Sequence, residues 1–469
     1  MVELIGKYTN AKIFANTIEE GVYQQVYDII NCKAFEGQKV VCMPDVHVGK
    51  SGPCGLVSTI GNYLCPAHVG VDIGCRISML ILDKRISPDK YAEVEHKIKK
   101  SIPTGFNINQ KTVFDCKEFY KFLTNGFNKY RNYWPEMLMD LPDKVTEKWI
   151  SEQLKRIGMD ERMFYHSIMS VGSGNHYIEY DEGFEPITIV NRTPVGSDNN
   201  GNVIWCDQSG DYYIERYGFS VHCGSRNFGV KICNYWTNKA KGTALSKSEI
   251  KKYTNKFKKR YIEEYGRNNM EGFKDALNKY LDSKTEGHIE GYLTGDNMKG
   301  YLCDMAFGEL YAEWNHKCIL DKIEEILQKY SIKKVRVISS VHNFIDLHDH
   351  TLRKSAIRSY SGEEMLVPFN MRDGVAVCEG LSNSDWLNSC AHGAGRKMSR
   401  SKAKANVSMD EFKESMKNVY STTVCKGTID ESPMAYKDTN EIKDLIKETC
   451  NIKYMMVPKI NIKAADGGD

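Results

Sequence analysis

The sequence predicts an α+β fold: one large domain with mixed β-sheets and a helical insertion. Strand-forming runs gather toward both ends of the chain, while residues 234–330 read as a helical block between them. Helices and strands do not alternate one for one, as a parallel α/β sheet would require. Across 469 residues no repeat, low-complexity tract or Pro- or Ser-rich linker divides the chain, which is long enough to bury a large core.

Each element follows from local pattern. Val22, Val26 and Ile29 fall at helical spacing and predict a helix over 17–31. KVVCMPDVH (39–47) reads as a short apolar strand running into a Pro-Asp turn, and Gly and Pro break residues 44–76 into many tight turns. Residues 86–165 read as mostly helical, PDKYAEVEHKIKKSI (88–102) most clearly. Strand signals return at FEPITIVNRT (184–193) and NVIWCDQSGDYYIERYGFSVHCGSR (202–226), with NNGN (199–202) as a hairpin tip. The last helix of the block carries Leu302, Met305, Ala306, Ala312, Ile319, Ile323 and Ile326 on one stripe. KKVRVISSVHNFIDL (333–347) then resumes strand character.

Composition narrows the function classes. No apolar run approaches the 18 or so residues that span a bilayer, and the N-terminus lacks a signal-peptide layout, so a cytoplasmic protein is expected. The 15 cysteines are scattered without a CxxC pair, which argues against a paired-thiol zinc finger or a thioredoxin-type motif. Cys32, Cys42, Cys54, Cys65 and Cys75 read mostly as small core residues in a reducing compartment. A net charge of +3 says little about partners. The basic stretch 246–261 reads as the solvated face of a helix.

Chemistry concentrates in a few small-residue settings. In AHGAGRKMSR (391–400), Gly393 and Gly395 let a ligand come close to His392, and Arg396, Lys397 and Arg400 suit phosphate. Alone, the stretch is either a glycine-rich turn with a solvated flank or a phosphate-handling histidine. GSGNHYIE (His176), VHCGSR (His222), SSVHNF (His342) and GVDIGCR (Asp72, Cys75) each read singly as satisfied structural residues. Together they form a ligand set for two divalent ions sharing ligands about 3.5–4 Å apart. With Arg226 and Lys354 nearby, metal ligands and forked cations indicate phosphoryl chemistry. His392, with no acidic or cysteine partner beside it in the sequence, leans toward covalent catalysis. A metallophosphoesterase, a nuclease and a nucleotidyltransferase all fit these residues.

MPDVHVGKSGPCG, GVDIGCR, SVGSGNHYIE, VHCGSRNFG, SSVHN, AHGAGRKMSR, DESPMAYKD and NIKA occur in the order found in the RtcB family of RNA ligases, which the chain resembles from about residue 12 to 464. The resemblance implies an RtcB-like domain with sheets around a metal-containing cleft. It implies an enzyme that joins RNA 3′-phosphate or 2′,3′-cyclic phosphate ends to 5′-hydroxyl ends with GTP and two manganese ions; whether an activating partner such as archease is needed is left open by the sequence. By the same resemblance His392 becomes guanylylated and passes GMP to the RNA 3′-phosphate. Cys75 bridges both ions, Asp72 and His176 complete one site, and His222 and His342 the other. Ligand softness alone would favour zinc; the family works with manganese.

The resemblance further points to Asn175, His176, Glu179, His342, Asn343, Pro368, Asn370, Met371, Gly393, Ala394, Gly395 and Lys463 for the nucleotide. Arg226, Lys354, Arg396 and Arg400 are implied for RNA phosphates, and Asp45 and His47 lie near the metals, with a structural role equally open to His47. Four departures stand out: PFNM (368–371) for Pro-Gly-Ser-Met, Val375 for serine, Ser355 where glycine is commoner, and Cys223 where serine is frequent. The first two fall in the nucleotide loop and lead to the expectation of weaker discrimination between GTP and ATP. Two rival readings are a phosphodiesterase that only opens cyclic phosphates and a decayed RNA-end binding protein. The first would not need His392 or Lys463, and the second would have lost a ligand or the nucleophile; all are retained.

Overall fold

The strands build two large sheets and a two-stranded one, Ala356–Arg358 with Ser389–Ala391, and the long helix of the middle block lies between helices and strands. The computed structural model describes residues 1–187, 204–206, 212–241, 247–266, 272–273, 276–277, 280–281 and 291–465. The first sheet runs in the spatial order Val2–Ile5, Asn10–Ile13, Val40–His47, Cys54–Thr59, Thr351–Lys354, Phe344–Asp346. Among the described residues its only parallel pair is Asn10–Ile13 with Val40–His47. The second is antiparallel: Glu364–Asn370, Gly374–Gly380, Cys450–Ile462, Tyr177–Ile187, Tyr212–Cys223, Arg76–Leu82 and Lys334–Val341, with Ile204–Cys206 beside Tyr212–Cys223. It curls until its outer strands meet, where Leu366 N donates to Ser340 Oγ (2.8 Å).

The curl explains why every residue of Arg76–Leu82 is buried. Successive side chains of a strand face opposite sides. Ile77, Met79 and Ile81 fill the inside of the curl with Leu366, Val375 and Met456. Leu80 and Leu82 face out onto Ile319, Ile323 and Ile326 of the helix Gly295–Gln328.

That helix departs from the expected single stripe. From Tyr301 to Ala312 every residue is buried, because the helices Cys116–Tyr133 and Arg226–Ala240 pack on it as well as the sheet. Only the Ile319, Ile323 and Ile326 half is one-sided. The helical block also starts earlier than 234, at Arg226. The basic stretch forms the helix Lys247–Tyr265, with Lys251, Lys252, Lys256, Lys258, Lys259 and Arg260 exposed as expected.

Other expectations are met or corrected locally. The first helix is Glu20–Ile30, burying Val22, Val26 and Ile29. Tyr91–Ser101, Cys116–Tyr133, Glu147–Ile157 and Glu161–His166 fill the helical region before residue 166. Asp115, Thr146 and Asp160 cap the last three through side-chain oxygens. Pro44 and Asp45 form no turn; they lie inside Val40–His47, where the register against Cys54–Thr59 slips between Cys42 and His47. FEPITIVNRT is strand as far as Ile187, and its remainder and NNGN lie outside the described residues. No helix among the described residues is long and apolar enough to cross a membrane.

Candidate active site

Four neighbouring strands of the curled sheet bring their ends to one edge. Arg76 pairs with both Cys223 and Val341, and Tyr177 pairs with His222, so Cys75, His176, His222 and His342 converge there. Cys75 Sγ lies 3.4 Å from His176 Nε2 and 3.3 Å from His222 Nε2. His222 Nε2 is 3.2 Å from His342 Nε2, and His176 Nε2 is 3.0 Å from Asp72 Oδ2. The donors fall into two groups sharing one sulfur: Cys75, His222, His342 and Asp72, Cys75, His176, each within 4.8 Å. This is the set the sequence assembled.

The donor chemistry fits divalent metal. His222 Nδ1 donates to the Asn175 carbonyl (3.1 Å), which leaves Nε2 as a lone pair aimed into the cluster. Burial, and then the charge of neighbouring histidines, holds His222 and His342 well below the ordinary imidazole range, so both are neutral and ligand-competent. Burial opposes ionisation of Asp72, but hydrogen bonding and charge from His176 keep its carboxyl below the usual range. Burial and then the Asp72 carboxylate push the Cys75 thiol well up. One thiol proton cannot serve two imidazole nitrogens, whereas a cation satisfies all of these lone pairs together.

His392 follows the short strand Ser389–Ala391, which pairs with Ala356–Arg358. Its Nδ1 lies 2.6 Å from Oδ2 of Asp45, a carboxylate with no exposed surface. Nδ1–H therefore donates to Asp45, and Nε2 keeps its lone pair. The ring sits 4.9 Å, centroid to centroid, from His342, which places it beside the candidate metal donors. The glycines are required on both sides of Ala394. A Cβ on Gly393 would stand 2.7 Å from the Pro368 carbonyl oxygen, and one on Gly395 (φ +70°) 2.2 Å from that of Asp45.

A cavity of about 760 Å³ opens over His392. Asn175, Glu179, Pro368, Asn370, Met371, Gly393, Ala394, Gly395, Arg396, Arg400 and Lys463 line it. Glu179 accepts from Asn461 Nδ2 (2.6 Å); burial, then the Asp181 charge, pushes its carboxyl well up. Burial lowers the Lys463 ammonium against the pull of Glu431 and Glu179. Arg396 and Arg400 are held by Glu431, at 3.2 and 2.9 Å. Glu431 and Tyr436, to which the sequence reading assigns no individual role, line the same cavity from the DESPMAYKD segment.

A family model described as tRNA-splicing ligase RtcB matches residues 25–464. The chain belongs to the RtcB family. It is 25% identical to the RNA-splicing ligase RtcB of Escherichia coli (strain K12) over 92% of this chain and 91% of that protein. It is 22% identical to the tRNA-splicing ligase RtcB of Methanococcus maripaludis over 94% of this chain and 90% of that protein. An RNA-splicing ligase RtcB homolog 1 of Entamoeba histolytica is 23% identical over 91% of this chain and 80% of its own length.

Several positions differ from what the RtcB resemblance leads one to expect. Asp45 belongs to neither metal group; it is the acidic partner that His392 lacks in the sequence. His47 is also outside both groups, donating Nδ1–H to the Asp45 carbonyl (2.9 Å) and pairing with Cys54 across the strands. Cys54 is not a core residue but lines the cavity; burial opposes its ionisation, yet His47 brings the thiol down to about 6. Asn343 does not line the cavity, and its side-chain oxygen accepts from Ser355 N (2.8 Å). His176 and His342 stand behind the lining, among the metal donors. Ser355 has φ +51°, the left-handed conformation that explains why glycine is commoner there.

The nucleotide loop is not a loop. Residues 368–370 end the strand Glu364–Asn370, and Val375 is fully buried inside the curl, outside the cavity lining. Asn370 caps the hairpin, its oxygen accepting from Arg372 N and Asp373 N, both at 3.0 Å. Two of the cations expected at RNA phosphate do not line the cavity. Arg226 donates to Ser170 Oγ (3.0 Å) and the Gly105 carbonyl (2.6 Å), and buried Lys354 to the carbonyls of Ser51 and Gly52.

Proposed function

We propose that this RtcB protein joins RNA 3′-phosphate or 2′,3′-cyclic phosphate ends to 5′-hydroxyl ends in the cytoplasm, with consumption of GTP. The observation that supports it most is the His392–Asp45 bond at the floor of a nucleotide-sized cavity beside a two-group metal cluster. The names of the RtcB relatives, RNA- and tRNA-splicing ligases, support RNA ligation as its coarse part. Asp45 fixes the tautomer, so His392 Nε2 attacks the α-phosphorus of GTP as pyrophosphate leaves. The Asp45 carboxylate then balances the positive imidazole of guanylylated His392.

An oxygen of the RNA 3′-phosphate attacks the guanylyl phosphorus and the P–N bond breaks, returning neutral His392. The 5′-hydroxyl attacks the 3′-phosphorus, GMP leaves, and a phosphodiester is formed. A cyclic phosphate is first opened by water. Glu179 and Lys463 face the nucleotide, and Arg396 and Arg400 the RNA phosphates. Asp72, Cys75 and His176, and Cys75, His222 and His342, would hold two manganese ions, which would supply neutralising charge at the phosphate oxygens.

Incubation with α-labelled GTP and Mn²⁺ tests the proposal. Acid-labile, base-stable label on the protein is expected. A wild-type protein that takes no label but still opens cyclic phosphates overturns ligation in favour of a phosphodiesterase.

A further inference from the structure

The DESPMAYKD segment holds Arg396 and Arg400 through Glu431 and caps the helix Thr439–Ile446 through Asp438. Its lysine takes no part in the reaction above. Lys437 is 5% exposed, and its ammonium donates to three backbone carbonyls: Val46 at 2.8 Å, Pro44 at 3.0 Å and Thr17 at 3.0 Å. Two of these flank Asp45. Its backbone N–H donates to the Gly395 carbonyl (3.0 Å), in the turn that follows His392. One residue thus grips both partners of the His392–Asp45 bond, the strand slip with its side chain and the Gly-Ala-Gly turn with its backbone.

A cation is the right group at this point. The register slip between Cys42 and His47 takes carbonyls out of the strand ladder, and a buried carbonyl needs a donor. An ammonium offers three N–H groups, matching the three oxygens. Asp45 is fully buried, and an uncompensated buried carboxylate is costly. Burial lowers the Lys437 ammonium while the Asp45 charge favours it.

We infer that Lys437 is a positioning residue: it clamps residues 44–46 against the 393–395 turn so that Asp45 holds His392 with Nε2 facing the cavity. The clamp is read from the resting geometry; only its effect on rate rests on the proposed guanylylation of His392.

Two measurements on the full chain test it. The shared His392–Asp45 proton should give a resonance downfield of the amide envelope, identified by its loss in Asp45→Asn, and needs no GTP to be seen. In Lys437→Met it should move upfield or vanish; an unchanged resonance overturns the clamp. In labelling with α-labelled GTP, Lys437→Met should lower the maximal rate on the order of 100-fold with KM for GTP changed far less, the pattern of a misplaced nucleophile. On an Asp45→Asn background the same change should add little. Full labelling rate, or equal losses on both backgrounds, overturns the inference. Lys437→Arg keeps the charge but not the compact three-donor fit, and carries both tests if Lys437→Met does not fold. Failure of wild type to label defeats the proposed reaction, while the resonance still decides the clamp.

Discussion

At the scale of single residues, His392 and Asp45 form a hydrogen-bonded pair; in the proposed reaction the imidazole attacks and the carboxylate decides which nitrogen is free to do so. His392→Ala should abolish label transfer from GTP while leaving fold and metal content intact; label at the wild-type level would remove His392 as nucleophile. Asp45→Asn should slow labelling by roughly 10²–10⁴-fold, since an amide can present N–H to Nδ1 and force the proton onto Nε2. Labelling at the wild-type rate in that variant would show that the tautomer is fixed elsewhere. Cys75 is the one donor common to both metal groups. Its replacement by alanine should therefore strip both ions, whereas His222→Ala should mainly deplete one. Metal analysis of the two purified variants separates these outcomes, and loss of a single ion in both would argue against a shared sulfur.

Elements show where sequence reading succeeds and where it fails. The candidate metal donors are legible because each sits near a glycine or at the end of an apolar run, a local signature. The Asp45–His392 partnership is not, because 347 residues separate the two and only the strand slip brings them together. The long helix is recognisable, but its all-round burial depends on packing partners that a single-helix pattern does not contain. Residues 368–375 mislead for a different reason. Asn370 and Gly374 are turn signals and do make the hairpin, yet Val375 already belongs to the returning strand Gly374–Gly380 and faces Leu366, Val377 and Met456. Val375→Ser should thus place a hydroxyl among apolar side chains and cost about 1–3 kcal/mol of stability. Urea unfolding should show that loss, and rates of guanylylation and adenylylation should keep their ratio. A variant of unchanged stability with improved preference for GTP would return Val375 to the nucleotide site.

Across the whole molecule, the helix Gly295–Gln328 is tied directly to the strands that carry the site. Asn315 Nδ2 donates to the carbonyls of Ser170 and Gly224, both at 3.2 Å, and His316 Nε2 donates to that of Cys223 (2.9 Å). His316 Nδ1 is buried with no hydrogen-bond partner among the described residues. Burial, reinforced by the charge of Arg76, pushes its pKa down to about 3. In the unfolded chain the same imidazole titrates near 6.5. Its contribution to stability is therefore complete above about pH 6.5 and is lost as pH falls toward about 3, because only the unfolded state takes up the proton in that window. The expected slope is about 1.4 kcal/mol per pH unit. Glu309, raised to about 7 by burial despite Arg76, acts in the opposite sense, since its contribution is lost as pH rises from about 4.5 through 7. Wild type alone would mix the two effects. Comparing metal-free wild type with His316→Asn isolates the histidine: asparagine still donates to the Cys223 carbonyl but does not titrate. Urea-unfolding free energies should differ increasingly between the two proteins as pH is lowered from 7 to 5, with the asparagine variant the less pH-dependent. Parallel curves would mean that His316 takes up its proton in the folded protein, and that the helix is not locked to the site strands as tightly as the buried bond implies.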